Sequence, residues 1–271
     1  MSNVKRQALK VIAGISIKMY NLNKKLRGES MIEISGVSKT YANGKNRAVD
    51  DINLNIRDGE IFGFLGPNGA GKTTTIKLIT GILRPDCGDI NINNINMLKE
   101  PVKAKENIGY VPDNPEIFNR LTGIEYLNFI GDIYDVDESE RVKVIEELSE
   151  GFEIKDALPS KIGSYSHGMK QKLVIMGALI HNPPTWVLDE PMVGLDPKSA
   201  FILKEMMRKH ADAGKTVFFS THVMEVAEKI CDRIGIIKKG KIIFVGTLDE
   251  LRATRKENES LENLFLELTE K

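Results

Sequence analysis

Apolar and polar positions alternate over residues 32–37 and again over 48–56, the two-residue period of half-buried strands. Residues 61–65 form an unbroken apolar run, the pattern of a short strand covered on both faces. Further strands are expected over 90–95 and 108–111. Strand character is lost between residues 122 and 180. There Ile124, Leu127 and Ile130, then Val144, Ile145 and Leu148, recur at helical spacing. From residue 185 the alternation returns: a strand to Leu188, a helix from Pro197, a strand over 217–220, a helix ending at Ile230 and a strand over 234–237. Lys239-Gly240 reads as a hairpin turn into a last strand over 242–245. Such alternation predicts an α/β fold with a mainly parallel sheet, an antiparallel β portion and a helical subdomain between the halves of the core. The expected divisions are a leader at 1–30, the first part of the core at 31–111, the helical subdomain at 112–181, the second part of the core at 182–250 and a C-terminal helical tail at 251–271.

The leader departs from the rest. Lys5, Arg6, Lys10, Lys18, Lys24, Lys25 and Arg27 face only Glu29, and Val4, Ala8, Val11, Ile15, Met19, Leu22 and Leu26 recur at helical spacing. Two readings stand side by side: a basic amphipathic helix lying on an anionic membrane surface or a partner, and a frayed extension of a domain that begins at Met31. It lacks the continuous apolar stretch of a secretory signal.

Composition narrows the partners. The chain has 271 residues with 38 Lys plus Arg and 38 Asp plus Glu, so no global basic field draws it to nucleic acid, and no nucleic-acid partner is expected. No apolar run reaches the roughly 18 residues that would suggest a membrane span. Cys87 and Cys231 fit no metal-ligand spacing and read as reduced thiols.

The most specific signal is Gly66-Pro67-Asn68-Gly69-Ala70-Gly71-Lys72-Thr73, set between the apolar run 61–65 and a helix-like run 74–82. Glycines let backbone N–H groups turn inward around adjacent phosphates, and the helix that follows adds the positive end of its dipole. Asn68, Gly69, Ala70, Gly71, Lys72, Thr73 and Thr74 are therefore candidate nucleotide-binding residues in a phosphate-loop NTPase core. Lys72 reaches the β- and γ-phosphates as a catalytic counter-charge, and the Thr73 hydroxyl is placed to ligate Mg²⁺. A second signal is the apolar strand Trp186-Val187-Leu188 ending in Asp189-Glu190. Asp189 is a candidate metal ligand, and Glu190 a candidate base for a water beyond the γ-phosphate. A third is Tyr165-Ser166-His167-Gly168-Met169-Lys170 at the head of an apolar helix, with Ser166 as its N-cap or as part of a second anion site.

In this order the motifs resemble the ATP-binding-cassette transporter ATPases, from residue 31 to residue 269. The tail residues Leu261, Leu264, Phe265 and Leu268 are similar to the ending found in exporters of drugs, peptides or polysaccharides. The resemblance implies ATP and Mg²⁺ as cofactors and ATP hydrolysis coupled to transport, most simply export. It implies two partners, a second ATPase subunit (identical or related) and an integral membrane subunit. It also implies a peripheral place on the cytoplasmic face of the membrane. It places Tyr41 on the adenine and gives Ser166 and Gly168 to the nucleotide of the opposite monomer, with Gly194-Leu195-Asp196-Pro197 in the loop that touches that monomer. His222 matches the histidine that senses the γ-phosphate and is counted with Glu190 and Lys72 as catalytic.

Two departures matter. Asp113 stands where the family commonly has Gln, and as a hard oxygen donor it remains a candidate Mg²⁺ ligand beside Thr73 and Asp189. Ser166-His167-Gly168-Met169 lies where the family has its signature motif, usually Ser-Gly-Gly-Gln, and carries His167 and Met169 in place of Gly and Gln, while Ser166 and Gly168 are kept. The alternatives are a non-transport ATPase of the same superfamily or a nucleotide-dependent regulatory module. The first needs two cassettes or a long coiled coil, and the chain has one cassette and no sustained heptads. The second is opposed by the presence of both acids and His222.

Overall fold

The computed structural model describes residues 30–41, 46–115, 117–253 and 265. Residues 1–29 of the expected leader at 1–30, and the tail positions Leu261, Leu264 and Leu268, lie outside the described residues, while Ser30 already belongs to a strand.

Two sheets carry the fold. The first is antiparallel, in the order β2-β1-β4-β5, from β1 (Ser30–Tyr41), β2 (Asn46–Arg57), β4 (Cys87–Ile92) and β5 (Ile95–Asn96). The second runs β10-β9-β3-β8-β7-β6, from β3 (Ile61–Leu65), β6 (Ile108–Val111), β7 (Thr185–Leu188), β8 (Thr216–Thr221), β9 (Arg233–Lys238) and β10 (Lys241–Gly246). Its pairings are parallel from β9 to β6, and β10 joins antiparallel through the expected Lys239-Gly240 turn. This is the α/β arrangement with an antiparallel portion that the periodicity predicts.

β3, β7 and β8 are buried on both faces, which explains the apolar run of β3 and the apolar centres of β7 and β8. One face of the central sheet presents Phe62, Phe64 and Phe218 to Ile32, Ile34, Leu54 and Ile90 of the antiparallel sheet. Phe62 and Phe218 stack at 5.9 Å between ring centroids. The opposite face presents Ile61, Val217, Phe219 and Trp186 to the helices, in one cluster that reaches Leu127, Ile145, Phe152 and Leu173. Trp186 is fully buried, as expected of a packing residue.

The helices are α1 (Lys72–Ile79), α2 (Pro101–Glu106), α3 (Gly123–Ile133), α4 (Glu138–Gly151), α5 (His167–Leu179), α6 (Pro197–Asp212), α7 (Met224–Ile230) and α8 (Leu248–Ala253). Thr122 starts α3 with a capping box: its hydroxyl accepts from the Glu125 N–H while the Glu125 carboxylate accepts from the Thr122 N–H. α3, α4 and α5 follow one another between β6 and β7, in the stretch where the helical subdomain is expected. Phe265, from the expected tail face, is buried with Leu65, Met224, Ile236 and Leu251.

Two expected elements differ. The strand expected over 90–95 is a hairpin, because Asn93 and Asn94 take φ of 49° and 63° and turn the chain into β5. The helix after the phosphate loop starts two residues earlier and stops at Ile79, with Thr80 as C-cap, so Ile82 lies beyond it and is exposed. Gly81 at φ 64° ends that helix in the left-handed region, as Gly does after many helix C-termini. Among the described residues no helix is long and apolar enough to cross a membrane, and Cys87 and Cys231 are free thiols.

Candidate nucleotide and catalytic site

The phosphate loop leaves β3 at Leu65 and enters α1 at Lys72. Gly71 is the N-cap, at φ 115° and ψ 4°. A Cβ there would lie 2.4 Å from the Ala48 carbonyl oxygen, so the turn admits only glycine. No side chain caps α1 and no acid occupies its first turn, which leaves its N-terminal N–H groups to an anion. Lys72 is buried, and its Nζ donates to the carbonyl oxygens of Gly66 at 2.7 Å and Pro67 at 3.3 Å. The β9–β10 turn braces the loop from behind: Gly240 N–H donates to Ala70 O at 2.8 Å, and Asp50 N–H donates to Gly240 O at 2.8 Å.

The two acids stand at the carboxyl end of β7, where the Asp189 N–H donates to Val111 O at 2.8 Å and ties the ends of β6 and β7 together. Asp189 is fully buried. Its Oδ1 accepts from Ser220 Oγ at 2.5 Å, while Oδ2 has no hydrogen-bond partner among the described residues. Burial raises the pKa of this carboxyl above its ordinary value, opposed by the Ser220 and Thr73 hydroxyls and reinforced by the charges of Asp113 and Glu190. Glu190 takes φ 46°, a left-handed conformation unusual for a residue with a Cβ. Its N–H donates to Ser220 Oγ at 3.0 Å. Its carboxylate lies between two partners, with Oε1 3.4 Å from Lys72 Nζ and Oε2 3.1 Å from His222 Nδ1.

These groups meet at a cleft of about 510 Å³ lined by Tyr41, Asn68, Gly69, Gly71, Lys72, Thr73, Thr74, Asp113 and Glu190. Tyr41, the phosphate loop, Asp113 and Glu190, up to 149 positions apart from Tyr41 to Glu190 (190 − 41), thus share one cleft. Ala70 is buried behind the loop, Asp189 lies beneath the cleft, and His222 reaches it through Glu190. Ser166 and Gly168 do not line it. Three neighbours carried no motif. Arg47 and Lys239 add two cations to the cleft wall, and Ser220 joins the two acids from β8. Arg47 follows Tyr41 by six positions and Lys239 sits in a recognisable turn, but no local pattern says that either faces a phosphate loop.

The signature segment forms a second centre. Ser166 caps α5 by accepting from the Met169 N–H at 3.2 Å. Gly168 touches the loop that follows Glu190 so closely that a Cβ on it would lie 2.9 Å from Gly194 O. In the same loop Asp196 caps α6, accepting from the Ser199 N–H at 2.9 Å and the Ser199 hydroxyl at 2.6 Å. Those bonds, with Lys172 at 3.3 Å, hold the Asp196 carboxyl well below the usual carboxylate range.

Comparison with known proteins gives the same reading. Residues 49–193 match the family described as ABC transporter. The linearmycin resistance ATP-binding protein LnrL of Bacillus subtilis is 39% identical over 221 residues, covering 82% of this chain and 70% of LnrL. A solved ATP-binding subunit of an ABC transporter superposes with a TM-score of 0.83 at 32% identity, over 88% of this chain and 99% of that one. The dimeric ATP-binding cassette MJ0796, solved in a post-hydrolysis state with ADP and phosphate, superposes with a TM-score of 0.73 at 29% identity, over 80% of this chain and 99% of that one. The chain therefore belongs to the ABC transporter family and is an ATP-binding, ATP-hydrolysing subunit that works with ATP and Mg²⁺.

Proposed function

We propose that the cleft holds ATP with the adenine against Tyr41 and the phosphates on the loop 66–73 and the N-terminus of α1, and that Glu190 is the general base for hydrolysis. The observation that carries this reading is the continuous contact chain Lys72–Glu190–His222 at the mouth of the phosphate loop. Lys72 binds the β- and γ-phosphates as a partly desolvated ammonium. Glu190 accepts the proton of the attacking water on a carboxylate oxygen. His222 contacts Glu190 from the solvent side, where it can hold both the carboxylate and the γ-phosphate edge.

The donor set suits Mg²⁺: the Thr73 hydroxyl, the buried and unpartnered Oδ2 of Asp189, and the Asp113 carboxylate are hard oxygen donors. When bound there, Mg²⁺ supplies charge neutralisation of the phosphates. Few protein ligands are needed, because this ion keeps waters and takes phosphate oxygens.

Ser166 and Gly168 serve the nucleotide of a second ATPase subunit, identical or related, in a head-to-tail pair. Their absence from the cleft wall of their own chain supports this, and the dimer described for MJ0796 is the precedent. Closure on two nucleotides then drives an integral membrane subunit seated on the segment from Asp113 through α3. There Phe118 and Phe129 pack edge-to-face at 5.7 Å between centroids while both stay exposed, an anchor of the kind interfaces use. This places the protein peripherally on the cytoplasmic face of the membrane. The kinship with LnrL favours export of a drug-like cargo. The leader, with its basic excess, is a second contact to anionic lipid or to the membrane subunit. Phosphate release by the purified protein, compared with its Glu190→Gln variant, tests the assignment of the base. Hydrolysis that does not depend on Glu190 overturns it.

A further inference from the structure

We infer that Ser220 is a positioning residue of the ATPase reaction: its single hydroxyl sets the orientation of both Asp189 and Glu190. The inference rests on the roles proposed above for those two acids.

The direction of each bond follows from the groups. The Glu190 N–H can only donate, so Ser220 Oγ accepts from it, at 3.0 Å. A carboxylate can only accept, so the one hydroxyl proton of Ser220 goes to Asp189 Oδ1, at 2.5 Å. Ser220 is fully buried on β8, so no water competes for either bond.

Two consequences follow for the chemistry. Fixing Oδ1 leaves Oδ2 as the carboxylate oxygen with no hydrogen-bond partner among the described residues, and the Thr73 hydroxyl is near enough to this carboxyl to act on it. Those two are among the three oxygen donors proposed above for the metal, the third being the Asp113 carboxylate. Ser220 therefore decides which face of the carboxylate is presented. The second consequence is at Glu190, whose φ of 46° carries backbone strain that must be held by its surroundings. The bond from its N–H to Ser220 is made at the residue where the chain turns from β7 toward the cleft. From that turn the carboxylate reaches Lys72 and His222. Without the hydroxyl, Asp189 Oδ1 loses its donor and the Glu190 N–H loses its acceptor.

The test uses the full chain carrying Ser220→Ala, Ser220→Cys or Ser220→Thr. Calorimetry measures ATP binding in EDTA and with Mg²⁺, and phosphate release is titrated with Mg²⁺. Losing a hydrogen bond to a charged group predicts kcat roughly 10–100-fold lower for Ser220→Ala. Half-saturation by Mg²⁺ should rise on the order of tenfold, with ATP affinity in EDTA unchanged. A thiol is a weak donor, so Ser220→Cys should share the defect, and Ser220→Thr, which keeps the hydroxyl, should restore Mg²⁺ dependence and rate. A folded Ser220→Ala protein with wild-type kcat and Mg²⁺ response overturns the inference. So does a set in which Thr fails with Ala and Cys, with lower thermal stability and no change in Mg²⁺ response, since that is a packing defect. If Ser220→Ala does not fold, the Cys and Thr pair decides: a normal Cys variant beside a defective Thr variant also overturns it. Asp189→Asn and Glu190→Gln serve as controls. If they remain active, the acid assignments fail; if they are inactive while the serine variants are normal, only the present inference fails.

Discussion

The ammonium of Lys72 and the carboxylate of Glu190 lie 3.4 Å apart, although they come from different elements 118 positions apart (190 − 72). Both side chains are largely shielded from water, 7% and 17% exposed, so their attraction is only partly screened. The phosphate loop and the acidic end of β7 are thus one electrostatic unit, and the charge on either member is expected to matter for turnover.

Glu190→Gln keeps the shape and removes the negative charge and the basicity. Turnover should fall by about 10²–10⁴-fold while ATP binding is kept. With the base lost, ATP should accumulate a closed dimer, visible as a shift in size-exclusion elution. Near-normal phosphate release would place the base elsewhere.

Lys72→Ala removes the one cation that the loop itself directs at the phosphates. ATP binding by calorimetry, or at the least hydrolysis, should drop below detection. Unchanged affinity and rate would sink the assignment of the phosphate loop.

The sharing of sites between subunits can be separated from folding effects by mixing. Ser166→Arg protein and Glu190→Gln protein are each expected to be inactive. In a head-to-tail pair made of one of each, one site carries both defects and the other carries neither. Some activity should return in proportion to the mixed dimer. No recovery, with subunit exchange demonstrated by labelled chains, would show that Ser166 acts within its own protomer or not at all.

Acid stability follows from two half-buried histidines. His181 stacks on Tyr134 with ring centroids 3.7 Å apart, and His210 lies against Trp186 at 5.6 Å. Burial is the main cause that lowers both pKa values from the ordinary 6.5 to about 4, with the Lys215 charge adding to it. Between those values the unfolded chain binds protons that the folded chain refuses. Stability contributed by the neutral rings is therefore full above pH 6.5 and is lost as pH falls toward about 4. The thermal midpoint should decline over that window, and less steeply in the His181→Gln/His210→Gln double variant. An identical decline in both proteins would show that carboxylates account for it.

Deleting residues 1–29 tests the leader. β1 starts at Ser30 and every nucleotide motif lies downstream, so the shortened protein should fold and bind ATP as the full chain does. Its binding to anionic liposomes should weaken at low salt, since each basic residue near such a surface contributes about 1 kcal/mol, an effect that salt screens. Equal liposome binding would remove the membrane role, and failure to fold would make the leader part of the core.

Local chemistry made much of this protein legible in its sequence. The unbroken apolar run at β3 can be stable only when covered on both faces, which requires a central sheet. The glycines and Lys72-Thr73 between a strand and a helix specify a phosphate cradle because few other residues can turn that backbone inward. Tyr41 and Asp113, singled out by the family pattern, line the same cleft as the phosphate loop, and His222 contacts Glu190. Boundaries were less legible. Asn93 and Asn94 break the strand expected over 90–95 because Asn tolerates positive φ, a tendency that an apolar period does not record.

Only the tertiary structure decided which distant groups share the site. Ser220 is an unremarked hydroxyl at the end of an apolar strand until β8 is laid beside β7, when it becomes the partner of two acids at once. Arg47 and Lys239 reach the cleft because β2 and the β9–β10 turn both close on the phosphate loop through Gly240. Sequence spacing encodes neighbours along one strand or helix, where geometry repeats. Contacts between strands depend on sheet order and register, which are set by how all the apolar faces are buried together.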